Sequence, residues 1–118
     1  LDRRMYAVRS TLLSALASRA RISIAAIQGC NQSYWKQHLI QANGFDERFT
    51  TWGYEDSELA ARLMHLGIKR NYVRHRALAF HLHHASRLDL TDNPNRALLQ
   101  ETLAQRRTRA ERGLAEHT

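Results

Sequence analysis

Between Asn43 and Leu59 the chain runs Asn43-Gly44-Phe45-Asp46-Glu47-Arg48-Phe49-Thr50-Thr51-Trp52-Gly53-Tyr54-Glu55-Asp56-Ser57-Glu58-Leu59, a loop that passes without a break into a helical pattern. Five of the chain's eleven acidic residues fall in this stretch, although the net charge is +7. The acids cluster around a Trp-Gly-Tyr turn, which places Glu55 and Asp56 where loop becomes helix. Helix amide groups and the helix dipole are expected to favour their ionised forms there. The helix is predicted over residues 56–66 and stops at Gly67, with Leu59, Leu63 and Leu66 as its buried stripe and Ala60 and Met64 beside it. Glu58 and Arg62, four apart on one flank, read as a helix-surface pair worth a few tenths of a kcal/mol at most. Twenty-five residues beyond Asp56, an apolar run ends in His81-Leu82-His83-His84. Carboxylates at a helix start and histidines at a strand end suggest a reactive cleft.

The remaining elements follow from local pattern. Met5, Val8, Leu12, Leu13, Leu16 and Ala17 recur at helical spacing and predict a helix over residues 2–19. The β-branched run from Ile22 to Ile27 reads as a short strand ending at Gln28-Gly29. Ser33 is a candidate cap for a helix from Tyr34 to Ala42, with Asn43-Gly44 as its left-handed stop. Residues 68–75 and 77–83 read as extended. Asp92-Asn93-Pro94 opens a last, basic helix over residues 94–112, Pro94 suiting its first turn and Leu98, Leu99 and Leu103 forming a narrow apolar face. The 85–93 connection is the one plausible hinge.

A chain of 118 residues with 43% hydrophobic content can form one domain with a modest core. No apolar run approaches the ~18 residues of a membrane span. The N-terminus, Leu1-Asp2-Arg3-Arg4-Met5, has neither an initiator methionine nor the apolar core of a signal peptide. The single cysteine, Cys30, excludes an intrachain disulfide and fits a reducing compartment. The chain is therefore expected to be a cytoplasmic piece of something larger, with peripheral association at the inner face of a membrane as a further option. Of the eighteen Lys and Arg residues, Arg76, Arg87, Arg96, Arg106, Arg107, Arg109 and Arg112 lie between residues 76 and 112. Spread around a helix, they are ordinarily a solvated face. The functional alternatives are contact with a nucleotide diphosphate, an anionic membrane surface or an acidic glycan. No aromatic ladder, glycine-rich strand or zinc-finger spacing accompanies the charge, so RNA has little support.

Four ordered pieces together carry a family likeness: Gly29-Cys30-Asn31-Gln32-Ser33, Asn43-Gly44-Phe45-Asp46-Glu47, Trp52-Gly53-Tyr54-Glu55-Asp56-Ser57-Glu58-Leu59 and Phe80-His81-Leu82-His83. At this spacing, the run from Gly29 to His84 resembles the C-terminal part of the catalytic domain of inverting GT-A-fold glycosyltransferases. The family-2 bacterial enzymes and the β-1,4-galactosyltransferase and chondroitin-polymerase groups are similar in pattern. The fold class implied is α/β, as an α+β fragment with helices packed on a few short strands. The resemblance further implies transfer of a sugar from a nucleotide-sugar donor to a glycan or lipid-linked acceptor, in bacterial surface polysaccharide synthesis.

The resemblance puts the catalytic base at Asp56, with Glu55 holding an acceptor hydroxyl or orienting the base. Helix capping alone is the competing explanation of both acids. Trp52 and Tyr54 offer flat faces to a sugar ring, and Gly53 allows close approach; ordinary packing is their alternative. Tyr54 stands where relatives commonly have glycine, which would narrow the acceptor pocket. Gly29 and Asn31 are implied to contact substrate through backbone and amide hydrogen bonds, Cys30 being a tolerated small residue. Asp46 and Glu47 either help hold the acceptor loop or form a solvated turn. His81 falls where the family places a ligand for Mn²⁺ or Mg²⁺. His83 and His84 are read as surface residues, as are His38, His65, His75 and His117.

Such enzymes begin with a nucleotide-binding half that carries an Asp-x-Asp motif, and none precedes Gly29; Asp89-Leu90-Thr91-Asp92 has the wrong spacing and order. The chain is thus expected to need an upstream nucleotide-binding half and to be inactive alone. The alternative is a basic binding module that contacts RNA or an acidic partner through its last helix.

Overall fold

The computed structural model describes residues 8–24, 27, 29–80, 82 and 92–117. Among the described residues, four α-helices and one two-stranded antiparallel sheet make an α+β architecture: α1 (Thr11–Ala17), β1 (Arg19–Arg21), α2 (Lys36–Gln41), α3 (Glu55–His65), β2 (Arg70–Tyr72) and α4 (Asn95–Gln105). Short 3₁₀ turns occupy Gly29–Asn31 and Leu114–His117.

α3 is the central element. Leu59 and Leu63 are buried with Ala42, and Tyr34, Leu39, Leu66 and Ile68 pack around them. The predicted stripe therefore faces the core. Beyond it, Gly67 takes φ 82°, a conformation open to a residue without Cβ, and its N–H donates to the Met64 carbonyl. α4 lies against α3 through buried Leu99 and Thr102. α2 ends as expected: Asn43 and Gly44 are both left-handed, at φ 64° and 70°. Asn43 does more than stop the helix, because its buried amide donates to the Ala110 carbonyl and accepts from the Ala115 N–H. The segment after α4 is thereby held against the end of α2.

Several expected elements are shorter or displaced. Among the described residues, α1 covers only 11–17, capped by the Ser10 hydroxyl, which accepts from the Leu13 N–H at 3.2 Å. Among the described residues the first strand is Arg19–Arg21; Ile22 to Ile24 lie outside it, Ile22 being 65% exposed, and residues 25 and 26 of the expected strand lie outside the described residues. Its register with β2 pairs Arg19 with Tyr72, Ala20 with Asn71 and Arg21 with Arg70. Ser33 caps nothing, since α2 starts at Lys36 after Trp35. Residues 77–80 form no strand.

The last helix stops at Gln105, where Arg106 turns left-handed at φ 50°. Within α4 only Arg96 is basic, balanced by Glu101. Two of the arginines beyond it meet carboxylates or carbonyls. Arg107 pairs with Glu101 and Glu111 at 2.7 Å each, and Arg109 donates to the Ile40 and Gln41 carbonyls at 3.3 Å. The basic helix over 94–112 is thus corrected to a near-neutral helix over Asn95–Gln105 followed by a non-helical segment in which Arg107 and Arg109 have partners within the fold.

Candidate active site

α3 begins at Glu55, preceded by a turn that needs two left-handed residues in succession, Gly53 at φ 108° and Tyr54 at φ 69°. Glycine adopts such angles freely, whereas a tyrosine there carries about 1 kcal/mol of strain or more. The glycine common at position 54 in the resembling enzymes is thus explained by backbone demand. Glu55 reaches back, and its Oε2 accepts from the Gly53 N–H at 2.6 Å. Trp52, one residue earlier, is 55% exposed.

Asp56 points towards the Gly29–Asn31 turn. A Cβ on Gly29 would lie 2.7 Å from the Asp56 carboxyl carbon, so the absence of a side chain at position 29 is what admits the carboxyl. The structure therefore joins two segments that sequence separates by more than twenty residues. Asn31 belongs to the same turn, but its amide donates to the Ala77 carbonyl at 3.0 Å, tying the turn to the segment that leads towards residue 81. Cys30 is exposed. An expected outcome follows for Gly29→Ala: the carboxyl must swing aside, lowering turnover on the order of tenfold while the melting temperature barely moves. Steady-state rates and thermal melts of that variant check it.

The helix dipole does not decide the Asp56 titration. Burial raises its pKa above the usual aspartate value, and the neighbouring Glu55 charge raises it further. The helix start by itself argues for a lowered pKa, whereas burial and the Glu55 charge push that of Asp56 the other way. Tyr34, read from sequence only as the start of a helix, proves to be a neighbour of the carboxyl. Burial, then the Asp56 charge, push its phenol up to about 12, with Arg70 acting in the opposite direction. The Tyr34 hydroxyl donates to Gln32 Oε1, whose buried Nε2 has no hydrogen-bond partner among the described residues. Nothing in the local pattern marks Tyr34 or Gln32 beyond their closeness to the Gly29–Ser33 motif.

Asp46, an ambiguous turn residue in sequence, is 3% exposed. Burial alone would raise its pKa, but hydrogen bonds and charge from Arg48, as close as 2.8 Å, hold it below the usual carboxylate range. Its role is to anchor the 46–49 turn. Glu47 lies at the surface and meets His117 and, at 4.0 Å, Arg112. His65 donates through Nδ1 to the Arg107 carbonyl at 2.7 Å, and His75 donates through Nδ1 to the Val8 carbonyl at 3.0 Å, so neither is a free surface histidine. His81, His83 and His84 lie outside the described residues. Among the described residues no group of three or more His, Cys, Asp or Glu side chains could hold a metal ion.

The Asp56 carboxyl sits at a helix start against the Gly29 turn, and the match of residues 10–85 to a glycosyltransferase family makes this a glycosyltransferase domain. The chain belongs to the family described as the N-terminal domain of galactosyltransferase, which matches residues 10–85 and so takes in every candidate site residue. That description names the opposite end of the enzyme from the one implied by the four-motif resemblance. No curated protein and no solved structure matches the chain significantly.

Proposed function

We propose that this chain forms the acceptor-binding, base-bearing part of an enzyme that transfers a sugar from a nucleotide sugar to a glycan or lipid-linked acceptor, with inversion at the anomeric carbon. The observation that carries the proposal is Asp56, a carboxyl laid on Gly29 with its pKa raised by burial and by Glu55. An acceptor hydroxyl ionises far above neutrality, and a more basic carboxylate is a better acceptor for its proton. As the hydroxyl oxygen attacks the anomeric carbon, Asp56 takes that proton. The bond from the anomeric carbon to the diphosphate oxygen breaks, and the nucleoside diphosphate leaves with the electron pair. Trp52 offers its exposed face to the acceptor ring, Gly53 and Tyr54 shape the same side, and Gly29 and Asn31 form the facing wall. Glu55 fixes the turn through Gly53 and raises the basicity of Asp56.

The domain acts as one unit over residues 1–118, the C-terminal portion of a GT-A-type hexosyltransferase whose upstream half binds the nucleotide. Alone, it lacks the donor site and does not turn over. The setting we propose is bacterial surface polysaccharide synthesis on the cytoplasmic side, peripheral to the inner face of the membrane. A divalent ion, Mn²⁺ or Mg²⁺, offsets negative charge on the leaving diphosphate in such enzymes, and His81 is this chain's proposed contribution to it. In the complete enzyme, His81→Ala should then raise the Mn²⁺ concentration for half-maximal activity, while His84→Ala leaves it unchanged. Metal titrations of both variants check the assignment; equal responses would remove His81 from the site.

The test of the function as a whole is transfer by the complete enzyme from UDP-galactose and other nucleotide sugars to a panel of hexoses, N-acetylhexosamines and their lipid-linked forms. NMR of the product should show the anomeric configuration opposite to that of the donor. Retention, or no transfer from any donor, would overturn the proposal.

A further inference from the structure

The turn that carries Trp52 is held by side chains from more than forty residues further along. Asn95 Nδ2 donates to the Thr51 carbonyl and to the Gly53 carbonyl, at 2.8 Å each. Asn93 Nδ2 donates to the Trp52 carbonyl at 2.7 Å, and Asn93 Oδ1 accepts from the Asn95 N–H at 2.9 Å. Three successive carbonyls are thus pinned by two asparagines at the start of α4, while Glu55 holds the Gly53 N–H from the other side. Asn95 is 3% exposed, yet the Trp52 residue it flanks is 55% exposed.

That contrast is informative. An exposed turn can satisfy its carbonyls with water, and burying an amide costs free energy unless its hydrogen bonds are made. The clamp fixes the backbone of a residue that is itself half-exposed. Gly53 and Tyr54, both at positive φ, would otherwise leave the turn free to relax towards ordinary angles. A pinned backbone fixes the direction from which the exposed indole leaves the chain, four residues before Asp56.

We infer that Asn95, together with Asn93, is a positioning residue that presents the Trp52 ring to the acceptor sugar and so sets acceptor affinity. The inference rests on the glycosyltransferase proposal, but the clamp is measurable without turnover. In a Trp35→Phe background Trp52 is the sole tryptophan. Asn95→Asp keeps the size of the side chain and replaces the donating amide by a carboxylate. Asn93→Ala removes the outer contact at a less buried position, and decides the matter if the Asn95 variant does not fold. Both variants should lower Trp52 fluorescence anisotropy and increase its quenching by acrylamide, with far-UV circular dichroism unchanged. In the complete enzyme, with UDP-galactose as donor and free hexoses and N-acetylhexosamines as acceptors, they should raise the acceptor KM about tenfold and leave the donor KM unchanged. A purely structural role would instead lower the melting temperature and move both constants. Unchanged Trp52 anisotropy in both variants, with native circular dichroism, overturns the clamp whatever the transfer assay shows. Absence of transfer by the unsubstituted enzyme, with anisotropy lost in the variants, overturns the functional proposal and the acceptor role but leaves the contact intact.

Discussion

Replacing Asp56 by asparagine in the complete enzyme is expected to cut turnover by a factor of about 100 or more, the usual scale of a lost general base. The change is close to isosteric, so the fit against Gly29 survives, but the amide cannot take the acceptor proton. Donor affinity should barely change, because Asp56 faces the acceptor side in the proposed mechanism. Stability should move in the opposite direction to activity. The folded-state pKa of Asp56 lies above its ordinary value. Ionised Asp56 therefore weighs against the folded state above that raised pKa, and the penalty is relieved as pH falls through it to the unfolded value of about 3.9. Asp56→Asn should accordingly melt at an equal or higher temperature than the unsubstituted chain at pH 7, with the advantage fading towards pH 4. Thermal melts at the two pH values, set beside steady-state rates, separate a base from a helix cap. A cap would lose stability on substitution and keep its turnover.

Arg62→Ala is expected to destabilise the fold by about 3–5 kcal/mol, the range for removing one partner from a buried ion pair. Arg62 is fully buried and Glu58 is 1% exposed. The guanidinium donates through Nε and Nη2 to the two carboxylate oxygens at 2.8 Å each, and through Nη1 to the Ala42 carbonyl. Glu58 Oε1 also accepts from the Thr102 hydroxyl at 2.9 Å. One ion pair on α3 thus joins the end of α2 to α4, and its loss leaves a carboxylate without a counter-charge in the core. Set against a total of about 5–15 kcal/mol for a domain, that is a large fraction. Replacing both partners together, as Glu58→Leu with Arg62→Met, should cost less than the single change because no orphan charge remains. Urea unfolding of the single and double variants measures the difference. A loss below about 1 kcal/mol for Arg62→Ala would mean the pair is solvated, as a surface pair is.

The same pair shows how far sequence could be read. Spacing of four placed Glu58 and Arg62 on one flank of α3, which is correct, but gave the wrong surroundings. An i, i+4 pair has the same signature on a solvated face as beneath a second helix. Only the packing of α4 across that flank, with Thr102 supplying a hydroxyl, makes it internal. The basic stretch behaves alike. Its arginines are plain in sequence, yet Arg107 and Arg109 are taken up by Glu101, Glu111 and the carbonyls at the end of α2, partners that no local pattern reveals.

What the amino-acid order determined by itself is local: the apolar stripe of α3, its stop at Gly67, the left-handed Asn43-Gly44 turn and the position of Glu55 and Asp56 at a helix start. Each depends on backbone angles and side-chain spacing within a turn or two. Tertiary structure alone decided that the Asp56 carboxyl rests on Gly29, that its pKa rises where the dipole argued for a fall, and that Asn93 and Asn95 grip the Trp52 turn. Those outcomes depend on burial and on hydrogen bonds spanning more than twenty residues. Desolvation and long-range partners belong to the packed chain, whereas the sequence at the helix start shows only the local amide dipole.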